Sequence, residues 1–147
     1  MRFAFSISPR ILPVLLFCTA FALPPTAQAQ SRLSDKDVDT TLKNLQEDTK
    51  QFSDMFNSAI KKSTVRKTSQ EKDARDMVKT FEKELDATRH QFKDKRTVDG
   101  RFPAVLASRD KIDHFLSSVS LGDQTNSQWG KIKAQLDTLS KSFNMGS

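Results

Sequence analysis

Residues 35–62, DKDVDTTLKNLQEDTKQFSDMFNSAIKK, decide the fold class of this chain. Apolar residues recur there at steps of three and four, the spacing that lines one face of an α-helix. The predicted inward positions are Val38, Leu42, Leu45, Phe52, Met55, Phe56, Ala59 and Ile60. Ser34 is the predicted N-cap, and Thr49, on the same face, should bond a carbonyl one turn back. The stretch therefore predicts a long amphipathic helix that must bury its apolar face against other helices.

Three further helices follow the same pattern. Their predicted ranges are 69–95, 103–120 and 126–144. Residues 68–71 (TSQE) and 125–128 (TNSQ) both fit the capping box that starts a helix, and Pro103 suits a first turn. Gly122 is predicted to end the third helix. Gly130 weakens the fourth helix by about 1 kcal/mol relative to alanine, which we attribute to close packing or to a fraying first turn.

Short connections between helices with one apolar face favour antiparallel neighbours. The sequence therefore predicts an all-α domain over residues 30–147, an up-down-up-down antiparallel four-helix bundle. A three-helix bundle with a loosely attached first helix stays open as an alternative. So does an open helical hairpin that dimerises, because the pattern does not fix the oligomeric state.

The first 29 residues predict a cleaved signal peptide. Arg2 and Arg10 precede or flank an apolar run over residues 11–23, and AQA at 27–29 is the small-x-small pattern that signal peptidase cuts. We expect cleavage between Ala29 and Gln30. An uncleaved anchor is disfavoured because the run is shorter than the roughly 20 residues that span a bilayer. Lipidation of Cys18 is disfavoured because bulky residues precede it.

The composition of residues 30–147 limits the possible chemistry. The only cysteine lies in the predicted signal peptide, so the mature domain has neither disulfides nor thiol chemistry. It carries 22 basic and 18 acidic residues, a net charge of +4, with both signs interspersed. Tyrosine is absent, although platforms that stack sugars or bases usually include it. Nucleic acid is therefore not an expected partner of this exported domain.

Candidate catalytic and metal-binding residues are few. His90 and His114 each follow an aspartate, Asp86 and Asp110, by four residues, but the helical angles turn both histidines toward solvent. A structural metal site needs three or four convergent ligands. The chain has no Cys-x-x-Cys-His haem motif, no Gly-x-Ser-x-Gly elbow and no glycine-rich phosphate loop. We expect no enzymatic activity, no catalytic residues, no metal and no cofactor.

The connection between the first two helices, residues 61–68 (KKSTVRKT), is the strongest binding candidate. Lys61, Lys62, Arg66 and Lys67 concentrate positive charge beside a helix N-terminus, which also favours anions. The same lysines would suit the C-terminus of the first helix without any further role. A second basic group, predicted at the opposite end of the bundle, comprises Arg89, Lys93, Lys95, Arg96 and Arg101.

These observations favour a periplasmic or secreted, non-enzymatic protein of the bacterial cell envelope, acting as a structural or partner-binding module. Its partner would be an unidentified protein or an anionic envelope component. One alternative is a carrier of a small apolar ligand, with a pocket lined by Phe52, Phe81, Phe115 and Trp129. Another is weak peripheral binding to anionic membrane or polymer through residues 61–67.

Overall fold

The computed structural model describes residues 32–98 and 100–143 of the chain. Within these ranges the backbone forms four α-helices and no β-strand. Their bounds are α1 Asp35–Ile60, α2 Ser69–Lys95, α3 Phe102–Ser118 and α4 Asp123–Ser142. The all-α prediction is confirmed for this part of the chain. The predicted signal peptide, residues 1–29, and the cleavage site between Ala29 and Gln30 lie outside the described residues.

α1 begins as its sequence predicts. The Ser34 hydroxyl oxygen accepts a hydrogen bond from the Asp37 N–H at 3.2 Å and so caps the helix. The hydroxyl of the buried Thr49 donates to the Leu45 carbonyl at 2.6 Å. Because this bond lies within one turn of the same helix, a polar residue fits the buried face without an unpaired group.

The C-terminal part of α1 differs from the prediction in two ways. The helix ends at Ile60 rather than at residue 62, because the N–H groups of Lys62 and Ser63 bond carbonyls three residues back and tighten the last turn. Met55, predicted to face inward, is 38% exposed. It lies about 100° around the helix from the centre of the buried face.

α2 occupies the predicted range 69–95, but its capping box does not form. The Thr68 hydroxyl donates to the Val65 carbonyl at 2.6 Å instead of capping the helix. Glu71 accepts a hydrogen bond from the N–H of Lys67, one residue earlier than a capping box requires. Lys67 itself adopts a left-handed conformation, at φ 63°, just before the helix begins.

The predicted boundary between α3 and α4 is also wrong. α3 has Pro103 in its first turn as predicted, but it ends at Ser118. Gly122 is the N-cap of α4, at φ 88°, and does not end α3. Thr125, predicted to cap α4, is buried inside its first turn and donates to the Leu121 carbonyl. The glycine conformation at 122 therefore starts α4 earlier than the predicted residue 126.

Gly130 lies on the exposed side of α4. A Cβ atom added there would meet nothing within 4 Å outside the helix's own local backbone. Close packing therefore does not explain this glycine, so the first of its two predicted reasons is wrong, and the fraying of a first turn stays a prediction.

The helices are packed in pairs, α1 with α4 and α2 with α3, and α1 also packs along α2. α3 and α4 touch over a shorter stretch. Each connection places one apolar side chain in the core: Val65 between α1 and α2, Val98 between α2 and α3, and Leu121 between α3 and α4. None of the four described helices has the length and apolarity that a membrane crossing requires.

Candidate functional site

The connection from α1 to α2 is held in a defined conformation by its own side chains. Val65 is only 5% exposed and anchors the middle of the connection in the core. The Ser63 hydroxyl donates to the Ile60 carbonyl at 2.9 Å, and the Thr68 hydroxyl donates to the Val65 carbonyl. These bonds satisfy the backbone locally, so the remaining side chains are displayed from an ordered turn.

We call residues 61–67 the basic loop. All four of its predicted site residues, Lys61, Lys62, Arg66 and Lys67, are exposed. None of these four side chains forms an ion pair with any carboxylate of the described residues. None of these four charges is therefore held in an ion pair by the described residues, although Arg66 acts at longer range to lower the pKa of Glu71.

Glu71, the acidic residue closest to the loop in sequence, has other partners. Its carboxylate accepts a hydrogen bond from the Lys67 backbone N–H at 2.7 Å and pairs with Arg75 at 2.8 Å. The pKa of Glu71 lies below its usual value, first because of the Lys67 backbone bond and then because of Arg75. Arg75 also donates to Asn57 of α1. Glu71 thus fixes the end of the loop to α2 while the side chain of Lys67 stays unpaired.

A groove of about 730 Å³ adjoins the basic loop, and we call it the end groove. It lies between the C-terminal turns of α1, the connection from α3 to α4 and the first turn of α4. Lys62 and Ser63 belong both to this groove and to the loop. Met55, the large apolar side chain that is most exposed among the described residues, lines it together with Ala59 and Leu121. A cation, Lys62, and an accessible apolar surface therefore meet at one place.

A second groove, of about 500 Å³, lies between α1 and α2. Its polar groups bond across the two helices: Arg89 donates to Gln46, and Gln46 donates to Asp86 at 2.8 Å. Arg89 also pairs with Asp39 of α1 at 3.5 Å. Arg89 is therefore turned toward α1 and fastens the two helices, and it does not stand free in the second basic group predicted from sequence.

The remaining members of that second group, Lys93, Lys95, Arg96 and Arg101, are exposed. Arg96 ends α2 in a left-handed conformation, and its guanidinium lies 5.6 Å from the centre of the Phe92 ring. Arg101 is the N-cap of α3. These positions serve helix ends, so the basic loop is the clearer candidate for binding.

The two histidines are exposed, as their helical angles predict. His90 lies 3.6 Å from Asp86 and is 73% exposed. His114 and Asp110 also lie on the exposed side of α3. Across residues 32–98 and 100–143, histidines and carboxylates form no group of three or more that could hold a metal ion.

Sequence reasoning missed a set of polar contacts between helices. The Asp48 carboxylate accepts hydrogen bonds from the side chains of Gln128 and Gln135 of α4. Ser108 of α3 donates to Glu84 of α2. Each contact joins residues that are far apart in sequence, so no local pattern marks them. They fasten helices to each other, although the side-chain oxygen of Gln135 is buried without a hydrogen-bond partner.

The four aromatic residues predicted to line a ligand pocket all contact other aromatic rings. Phe52 and Phe81 both pack on Trp129, with ring centres 4.9 and 5.6 Å apart. Phe115 lies 5.8 Å from Phe56. Together with Phe56, the four rings therefore form one connected aromatic cluster.

No protein-family model, curated protein or solved structure matches this chain.

Proposed function

We propose that this chain is an exported, non-enzymatic binding module of the bacterial cell envelope, and that it contacts an anionic partner through the basic loop. The observation that carries the proposal is the group of four exposed cations on an ordered loop, none of them paired with a carboxylate of the described residues. An ordered loop loses little conformational entropy when it binds, which favours affinity.

We further propose the up-down-up-down antiparallel topology for residues 30–147. Contacts between α1 and α2 support it, because residues later in α1 contact residues earlier in α2, as in an antiparallel pair. These contacts are Asp39 with Arg89, Gln46 with Asp86, and Asn57 with Arg75. The same trend joins α3 to α4, through Arg109 with Asp137 and Asp113 with Lys133.

The two alternative functions have different support. A carrier of a small apolar ligand is supported less, because Phe52, Phe81 and Trp129 pack on one another. Binding to anionic membrane or polymer uses the same basic loop, so it shares the supporting observation and differs only in the partner.

Retention on a polyanion tests the role of the loop. The protein, expressed from its full sequence and recovered after export, would be applied to dextran sulfate–agarose and eluted with a salt gradient. The test variant replaces Lys61, Lys62, Arg66 and Lys67 by glutamine. We expect it to elute at clearly lower salt than the unmodified protein, because clustered charges bind a polyanion more strongly than dispersed ones.

A matched control removes the same net charge elsewhere. It replaces Lys36, Lys79, Lys111 and Lys131 by glutamine, four exposed lysines without an ion pair to a described carboxylate. We expect this variant to elute close to the unmodified protein. Equal shifts for both variants would show that retention follows net charge alone, and the proposed role of the basic loop would be abandoned.

A further inference from the structure

We propose that the basic loop and the end groove together bind an extended acidic segment of a partner protein, with one apolar side chain inserted against Met55. This inference rests on the proposed function and specifies the chemistry of the partner. It follows from three properties of the end groove: its apolar floor, its unpaired polar groups and its uneven charge.

The floor of the groove suits an apolar side chain. Met55, Ala59 and Leu121 line it, and Met55 is 38% exposed. Methionine is flexible and polarisable, so it adapts to side chains of different shape. Covering this surface would remove the most exposed large apolar side chain of the described residues from water.

The polar lining suits a peptide backbone. Ser58, Ser120 and Gln124 line the groove, and none of their side chains forms a hydrogen bond with another described residue. An extended peptide presents N–H and C=O groups at regular intervals, and each must find a partner when it is covered. The hydroxyl and amide groups of these three residues supply both donors and acceptors.

The charge at the groove differs from one end to the other. Lys62 lies just beyond the end of α1, where the groove meets the basic loop, whereas Asp54 lies six residues before that end, about 9 Å back along the helix. Asp123 adds a second carboxylate to the lining. Acidic residues of the segment should therefore lie over the basic loop, and its other end should be uncharged or basic.

A membrane surface fits these features less well. A bilayer interface is contacted by apolar side chains that protrude among cations. Met55 instead lies in an open groove whose lining includes the side chains of Ser58, Ser120 and Gln124. These hydroxyl and amide groups match the backbone of a peptide chain better than an array of headgroups.

Selection from random peptides tests the proposal even though the partner is unidentified. The protein, expressed from its full sequence and recovered after export, would be biotinylated on a C-terminal tag, so that the lysines of the basic loop stay unmodified, and used to select from phage-displayed random nonapeptides. We expect enriched peptides to carry at least two acidic residues on one side of a single large apolar residue. The best enriched peptide would then be labelled with fluorescein, and its affinity for the protein would be measured by fluorescence anisotropy.

Three variants locate the binding. Met55→Glu removes the apolar contact, Ser58→Trp fills the groove without changing charge, and Lys62→Glu reverses the cation where groove and loop meet. Each variant should lower the affinity for the peptide by about tenfold or more, the loss typical of a central interface contact. Lys79→Glu, an exposed lysine of α2, is the charge-matched control for Lys62→Glu and should change affinity little. Circular dichroism checks that every variant stays folded.

Several results would overturn the inference. They are a failure to enrich peptides, enrichment of peptides without acidic residues, and affinities that Met55→Glu and Ser58→Trp leave unchanged. If vesicles of phosphatidylglycerol and phosphatidylethanolamine bind the protein and neither Met55→Glu nor Ser58→Trp changes that binding, the loop would be assigned to a membrane instead. If retention on dextran sulfate still depends on the basic loop, only this inference falls. If that retention does not depend on it, the proposed function falls as well.

Discussion

Asp113 shows how a single side chain joins two helices in this protein. Its Oδ1 atom accepts hydrogen bonds from the Trp129 indole N–H at 3.1 Å and from Lys133 Nζ at 2.7 Å. The bond from Lys133 is the largest cause that lowers the pKa of Asp113, and the bond from Trp129 adds to it. The carboxylate therefore holds the indole in place where α3 meets α4.

Acid should loosen this contact. A carboxylate with a lowered pKa in the folded state stabilises the protein fully above the usual aspartate value of about 4, and this contribution is lost as pH falls through the folded pKa. Because Trp129 is the only tryptophan of the chain, its fluorescence reports the loss directly. We expect a change in emission whose midpoint lies below pH 4, measured between pH 6 and pH 2.

Substitution provides the control for that titration. Asp113→Asn should lower the free energy of unfolding at pH 7 by about 1 kcal/mol, since the group is half exposed and solvent weakens its bonds. It should also remove the emission change with that midpoint. Asp54→Asn, an exposed residue of α1, should do neither. An unchanged titration in Asp113→Asn would assign the emission change to another group.

Sequence predicts residue roles well only where the partner is near in the chain. The bonds of Ser34 and Thr49 reach three and four residues and follow from helix geometry. Asp48 bonds Gln128 and Gln135, which are 80 and 87 residues away. No periodicity encodes such a pair. For the same reason the sequence marks the basic loop but not the end groove, which forms only when α1 meets the start of α4.

At the scale of the helices, existence and type were predictable and the ends were less so. All four amphipathic patterns fold as helices. The glycine between α3 and α4, however, could by its sequence either end α3 or start α4. A glycine at φ 88° serves a helix start as well as a helix end, and here it starts α4. The serine and threonine residues of 125–128 also fit caps in general, but the buried position of Thr125 overrides that local preference.

The two glycines of α4 should respond to alanine in opposite ways. Gly130→Ala places a methyl group in open space on an exposed helix face, so it should raise the free energy of unfolding by about 1 kcal/mol. Gly122→Ala forces an L residue into φ 88° and ψ 157° and should lower it by about 1–3 kcal/mol. Urea denaturation measures both. Destabilisation by Gly130→Ala would reveal a contact at that position.

The whole chain carries a prediction about processing. Residues 1–29 have the charge, apolar run and AQA ending of a signal peptide. We expect the exported protein to begin at Gln30, which intact-mass spectrometry of the extracellular or periplasmic fraction would show. Replacing Ala27 and Ala29 by arginine should block this cut. A mass that retains residues 1–29 would contradict the prediction. Native mass spectra of the same sample would give the subunit number and reveal any retained ligand.

The core should make the four helices unfold together. α1 and α4 form one closely packed pair and α2 and α3 another, but Trp129 of α4 contacts Phe52 of α1 and Phe81 of α2. Separating the pairs would expose this ring cluster to water, at a cost of about 1.5–3 kcal/mol for each large side chain. Trp129 fluorescence and far-ultraviolet circular dichroism should therefore show the same urea midpoint, as two-state unfolding requires. A fluorescence midpoint well below the dichroism midpoint would instead mean that the helix pairs come apart before they unfold.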